Sequence, residues 1–336
     1  MTALLLLIGA LSGWLPQQSG STTSQLRGVT ALDATRAWAS GSEGTILRTR
    51  DGKTWEKLRA PAGGEALDFR DIEAIGDTVV LMSAGPGDAS RIYRSTDGGA
   101  TWKLTHTNPD KDGFYDAIAF WDAKNGIVLG DPVDGRFVIR TTEDGGATWK
   151  VPEGLAIYKS FPGEGAFAAS GTCLFALKGG NDAWFVTGGA KVSRVFHTIN
   201  RGRNWSSWVT PVAAGNPSSG LFSVTFLDNK RGFAAGGDYK QPQFAGLNGV
   251  RTEDGGQHWT AAPISATGFM SAVVPVPGTG TDLVAVGLAG EAVSHDAGRT
   301  WTSTGKEPMN AAVFSAVDTG WAVGPKGMIL RFSAAR

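Results

Sequence analysis

Short apolar runs closed by glycine recur along the chain: AWASG (37–41), LMSAG (81–85), GIVLG (126–130), WFVTGG (184–189), GFAAGG (232–237), LVAVG (283–287) and GWAVG (320–324). Runs this short, bounded by turn residues, predict β-strands rather than helices. A polar segment follows each of the first six. Ser95 to Trp102 reads STDGGATW, Thr142 to Trp149 TEDGGATW and Ser294 to Trp301 SHDAGRTW, all fitting S/T-x-D-x-G-x-T-W. TEDGGQHW (252–259) puts His258 at the seventh place, TINRGRNW (198–205) has Asn200 and Asn204, and TRDGKTW (49–55) is one residue short. The closing tryptophans at 55, 102, 149, 205, 259 and 301 lie 47, 47, 56, 54 and 42 residues apart. That period predicts one four-stranded propeller blade per repeat.

The polar segment is a hairpin turn by its chemistry. A carboxylate at Asp97 or Asp144 can accept backbone N–H bonds across the turn, as Asx-type turns do. Gly99 or Gly146 can take positive φ without a Cβ penalty. The Thr hydroxyl adds a local bond, and the indole buries apolar area against neighbouring strands. These aspartates therefore read as structural, not catalytic.

Seven glycine-closed strands but six boxes leave the last blade one strand short. After GWAVG comes Ile329-Leu330-Arg331, which aligns with Ile46-Leu47-Arg48 before the first box, and the chain then ends without a tryptophan. Residues around Trp14 to Ser19 are expected to supply the missing outer strand, with Trp14 standing where a box tryptophan stands. Closing the ring in this way removes open sheet edges. The fold class expected is all-β: a seven-bladed β-propeller with four-stranded blades, closed by the N-terminal segment. The domain reading is a leader at residues 1–13 followed by a single propeller over 14–336.

Composition adds three constraints. Glycine numbers 48 of 336 residues, about twice its ordinary share, as a chain of many tight turns requires. Lys plus Arg and Asp plus Glu are both 31, with no basic arm, which argues against nucleic acid as a partner. Cys173 is the single cysteine, so no intramolecular disulfide forms and a buried thiol is expected. The opening MTALLLLIGALSGWL has an apolar run too short to span a bilayer and of the length of a signal-peptide core. Export to the periplasm or exterior is the expected localisation, without a transmembrane segment.

Asp boxes in a seven-bladed ring, with G-W/F-A-V-G strands between them, resemble the BNR/Asp-box propellers. Within that group residues 26–332 are most similar to the photosystem II stability/assembly factor family and its relatives in non-photosynthetic bacteria. The resemblance implies a non-catalytic assembly factor in the lumen or periplasm that binds a membrane-protein precursor. Nothing in the residues ties the chain to a photosystem. Asp boxes also occur in sialidases and other glycoside hydrolases, so the enzyme reading is tested at the residues.

In such a blade the loop entering the inner strand and the loop leaving the second strand open on one face, opposite the boxes. Polar residues there converge on the channel mouth. They include Asp68, Arg70 and Asp71 in LDFRD; Tyr115 and Asp116 in FYDAIAFWD; and Asp131, Asp134 and Arg136 in GDPVDGRF. Glu164 in PGEGAFAASG, Lys191 and Arg194 in GGAKVSR, and Asp238, Tyr239 and Lys240 in GGDYKQP follow. Blades two to five carry nearly all of them. The expected binding surface is Arg70, Asp71, Tyr115, Asp116, Asp131, Asp134, Arg136, Glu164, Arg194, Asp238 and Tyr239.

A sialidase would show an R-I-P segment and three arginines converging on a carboxylate; Arg91-Ile92-Tyr93 lacks the proline. No G-x-S-x-G elbow and no dinucleotide fingerprint opens a helix. His106, His197, His258 and His295 lack metal-ligand spacing. No cofactor or metal is expected. The expected function is a monomeric protein- or peptide-binding scaffold, with a sialidase-like glycoside hydrolase or a glycan-binding propeller as the alternative. A deep pocket holding a close carboxylate pair with arginines would favour the enzyme.

Overall fold

The computed structural model describes residues 13–21, 23–244, 246–264 and 268–333. The leader at 1–13 lies outside them but for Gly13. Seven antiparallel sheets form the blades of a closed ring. Their inner strands are Leu26–Ala31, Phe69–Ile75, Tyr115–Phe120, Leu174–Ala176, Ser219–Phe226, Ala272–Pro275 and Ala311–Ala316. Two of them, Tyr115–Phe120 and Ser219–Phe226, are buried on every residue, because each lies between two neighbouring blades. Among the described residues no helix is long and apolar enough to cross a membrane.

The boxes make the turn their chemistry requires. Asp97 Oδ1 accepts from Ser95 Oγ at 2.6 Å and from the Thr101 amide at 2.9 Å, while Oδ2 accepts from Thr101 Oγ1 at 2.6 Å. Asp144 and Asp296 repeat the pattern. In the variant boxes His258 Nδ1 takes the place of the hydroxyl on Asp254, at 2.6 Å, and the Asn200 amide oxygen takes that of the carboxylate. Box carbonyls also join blades. Gly98 O accepts from both Trp38 Nε1 and Arg48 Nη1 of the preceding blade, at 2.9 and 2.7 Å.

Closure follows the expected route. Strand Trp14–Gln17 pairs antiparallel with Ile329–Ser333, Trp14 opposite Phe332. The Trp14 ring is buried edge-on to Phe314 and Phe332, with centroids at 5.7 and 5.3 Å. Gln17 Nε2 donates to Gly52 O and Gln17 Oε1 accepts from Trp55 Nε1, each at 2.8 Å, tying the strand to blade 1.

Blade 3 departs from four strands. Its outer strand shrinks to one bridge, Thr141 with Lys150. Pro152 follows at once, and a residue without an N–H cannot extend the ladder. The chain instead runs as a long irregular connection from 151 to 173 before blade 4 begins. That connection builds the floor of the site.

Candidate functional site at the channel mouth

Loops of all seven blades surround a cavity of about 1180 Å³ on the face opposite the boxes. Its walls begin with a backbone device. In blades 1, 2, 3 and 5 the pairing of inner with second strand slips by one residue at the mouth, between Leu26 and Gly28, Phe69 and Asp71, Tyr115 and Ala117, and Leu221 and Ser223. A β-bulge leaves one residue unpaired and re-aims its side chain. The extra residues are Arg27, Arg70, Asp116 and Phe222, and all four line the cavity.

Their neighbours turn inward, which corrects two expectations. Asp71 is buried, with Oδ1 accepting from the Ile72 amide at 2.8 Å and Oδ2 from the Ile118 amide at 2.7 Å, so it staples blade 2 to blade 3. Ser223 does the same between blades 5 and 6, accepting from the Val273 amide at 2.9 Å. Tyr115 is 0% exposed, its hydroxyl 2.9 Å from His106 Nε2. Neither presents a side chain at the surface.

The connection 164–173 crosses the mouth and closes the channel below the cavity. Gly165 exchanges two backbone bonds with Gly188 of blade 4, and the Ala166 amide donates to Asp131 Oδ1 at 2.9 Å. Arg70 Nη1 reaches Ala168 O at 3.1 Å and Arg27 Nη1 reaches Ala169 O at 3.3 Å. Ser170 Oγ donates to Ser271 O of blade 6, and Thr172 Oγ1 to Ser223 Oγ of blade 5. Glycine is required at 165, because a Cβ there would stand 2.7 Å from Asp131 Oδ1. Cys173, at the end of the segment, is a buried free thiol.

Glu164 and Arg194 anchor this segment. Arg194 Nη2 meets Glu164 Oε2 at 2.5 Å, and Nε meets Oε1 at 2.8 Å. Glu164 also accepts from Thr187 Oγ1 and the Phe161 amide, while the guanidinium lies 4.3 and 4.5 Å from the Phe161 and Phe196 ring centroids. Both side chains are buried and saturated with partners from their own chain, so Arg194 adds no free charge to the mouth.

The remaining wall divides by chemistry. Arg27, Arg70, Asp112, Asp116 and Asp131 form a charged side. Burial, reinforced by the neighbouring Asp131 charge, holds the Asp116 carboxyl well above the usual carboxylate range. Burial likewise pushes Asp131 up to about 6. Facing them is an aromatic side of which the sequence reading named Tyr239 alone. Phe167 stacks on Phe222 at 3.8 Å, Phe222 meets Phe269 edge-on at 4.7 Å, and the exposed Tyr239 closes on both. Asp134 and Gly135 form a two-residue hairpin turn, both at positive φ (52° and 74°), which sets exposed Arg136 on the outer rim. Asp238 caps its own loop, accepting from the Lys240 amide at 2.9 Å and Asn216 Nδ2 at 3.2 Å. Arg27 was legible, since LRG (26–28) stands where FRD (69–71) stands; Phe167, Phe222 and Phe269 carried no polar signal.

The BNR/Asp-box repeat profile matches residues 93–104. No curated protein matches the sequence. Among solved structures, YCF48 bound to D1 peptide superposes with a TM-score of 0.69 at 17% identity, covering 97% of this chain and 98% of that one. YCF48 from Cyanidioschyzon merolae gives 0.65 at 16%, over 96% and 99%. The GH74 enzyme of Niastella koreensis gives 0.65 at 12% identity; it covers 95% of this chain, which spans 53% of the enzyme. At these identities the likeness is one of fold. With its seven sheets and its N-terminal closing strand, the chain is a seven-bladed β-propeller, and its boxes are similar to the BNR/Asp-box repeat.

Proposed function

We propose that the protein is a non-catalytic, exported scaffold that binds a protein or peptide segment at the channel mouth. The observation that carries this reading is the cavity itself. It is bounded by loops of every blade, with an aromatic side and a charged side, and floored by the chain's own segment 164–173. A ligand rests on such a floor and cannot thread the ring. The structural neighbour bound to D1 peptide is a propeller of the same architecture, which supports a peptide as ligand class; a membrane-protein precursor is the partner we propose from the family resemblance. The apolar run of the first residues supports export.

The test replaces exposed residues of the mouth face. Tyr239→Ala with Arg136→Ala is expected to abolish capture of partners from a native membrane fraction, read by mass spectrometry. The melting temperature should barely move, because exposed loop changes stay within about 0.5 kcal/mol. Arg203→Ala with Arg299→Ala on the box face is the control. Capture lost in the control and kept in the mouth variant would place the functional face on the other side.

A second reading has one observation in its favour. Asp116 and Asp131 form a buried acid pair beside Arg70 in the cavity, and Asp131 at about 6 falls in the range of a general acid. Release of reducing sugar from any member of a glycan panel, lost in Asp131→Asn, would establish a glycoside hydrolase in place of the scaffold.

A further inference from the structure

We propose that the acid corner of the mouth, Asp116 with Asp131, receives the cationic end of a lysine or arginine side chain of the bound peptide, its stem lying on the aromatic wall. This rests on the peptide-binding reading above and names what the site selects.

Four observations lead there. The bulge in blade 3 turns Asp116 toward the cavity it lines, although the side chain is only 1% exposed. Asp116 Oδ2 has no hydrogen-bond partner within the protein. A buried carboxyl oxygen without a partner is a polar group left unsatisfied, so the site is incomplete as it stands. The nearby guanidiniums do not complete it. Arg70 is held by Asp68 Oδ2 at 2.8 Å and by Ala168 O, and Arg27 is held by Ala169 O. Carboxylates also outnumber cations: Asp68, Asp112, Asp116 and Asp131 face Arg27 and Arg70, while Glu164 is matched by Arg194.

The aromatic wall defines the rest of the ligand. Ala166 and Ala168 donate their amides to Asp131 and Asp116, and Phe167 stands between them, stacked on Phe222. An apolar face beside a carboxylate pair matches a long aliphatic stem with a charged tip, and a cation gains further from aromatic faces. A free anion fits poorly, because the arginines are already engaged and the acids repel it.

Proton linkage supplies a second signature. Asp116 is surrounded by Asp131 and Arg70, with Asp71 and the Cys173 thiol buried beneath. Burial of the two acids retains a proton on the pair near pH 6, and an arriving cation displaces it. Affinity for a basic peptide therefore rises with pH through that range, whereas an acidic ligand would bind more weakly.

The experiment is peptide-display selection on the intact protein, followed by calorimetry with synthetic copies of the enriched peptides. Enriched peptides are expected to carry arginine or lysine. Replacing that residue by citrulline or norleucine should weaken binding about tenfold or more. Asp131→Asn should remove the preference while keeping the affinity of the citrulline peptide, so the two changes are non-additive. If Asp116→Asn does not fold, Asp131→Asn and the pH series carry the test alone. Peptides that lose affinity in the Tyr239→Ala, Arg136→Ala variant but need no basic residue would overturn the cation subsite and leave peptide binding standing. A selection yielding no peptide sensitive to that variant would overturn both.

Discussion

Asp97, Asp144, Asp254 and Asp296 each accept bonds from a hydroxyl or imidazole and from the backbone of their own turn, and this local saturation makes the box a stable unit. Asp97→Ala or Asp144→Ala is expected to destabilise the fold by about 1–3 kcal/mol, measured by denaturant unfolding, through turn amides left without an acceptor. Hydrogen bonding from Ser95 and Thr101 holds Asp97 down to about 2; for Asp296 burial opposes, but bonds from Thr300, Ser294 and the Arg299 amide together outweigh it and hold the carboxyl at about 2. A depressed folded value stabilises above the unfolded pKa of about 4, and that contribution is lost as pH falls toward 2. The wild-type melting temperature should therefore drop on acidification between those limits, and less steeply in Asp97→Asn. Asp131 has the opposite sign: its raised value favours the fold while protonated, and the advantage fades as pH climbs from about 4 to about 6. The box residues were legible because every bond in them lies within a few positions of sequence. Asp71 and Tyr115 were not, because one backbone slip decides which of two adjacent side chains faces solvent.

At the scale of elements, the closing strand and the crossing segment do the joining. Deleting residues 1–20 strips strand Trp14–Gln17 from blade 7 and exposes Phe314 and Phe332, at roughly 25 cal/mol per Å² of apolar area. A marked fall in melting temperature is expected; an unchanged curve would mean that the strand contributes nothing to closure. Glu164→Ala should cost about 3–5 kcal/mol in denaturant unfolding, because it leaves the Arg194 charge buried without its partner. The closing strand was readable from a count, seven glycine-closed strands against six boxes. The crossing segment was not, since residues 151–173 carry neither a two-residue nor a helical period.

Over the whole molecule, blades mostly touch their neighbours, yet segment 164–173 bonds to strands of blades 1 to 6 at once. Thermal unfolding is accordingly expected as one calorimetric transition; two resolved transitions would mean that the blades melt independently, as in open repeat arrays. The sequence by itself determined the fold class, the blade count, the box chemistry and the strand that closes the ring. Each of these is written in short-range pattern and repeated, so that one blade corroborates the next. Only the tertiary structure decided what the mouth presents. Arg27, Arg70, Asp116 and Phe222 face the cavity because bulges set by pairing with the second strand turn them there. The channel is closed because an unpatterned connection finds its hydrogen-bond partners on six different blades. Burial then sets Asp116 and Asp131 apart from the solvated acids of the boxes, and that difference is a property of surroundings and not of residue type.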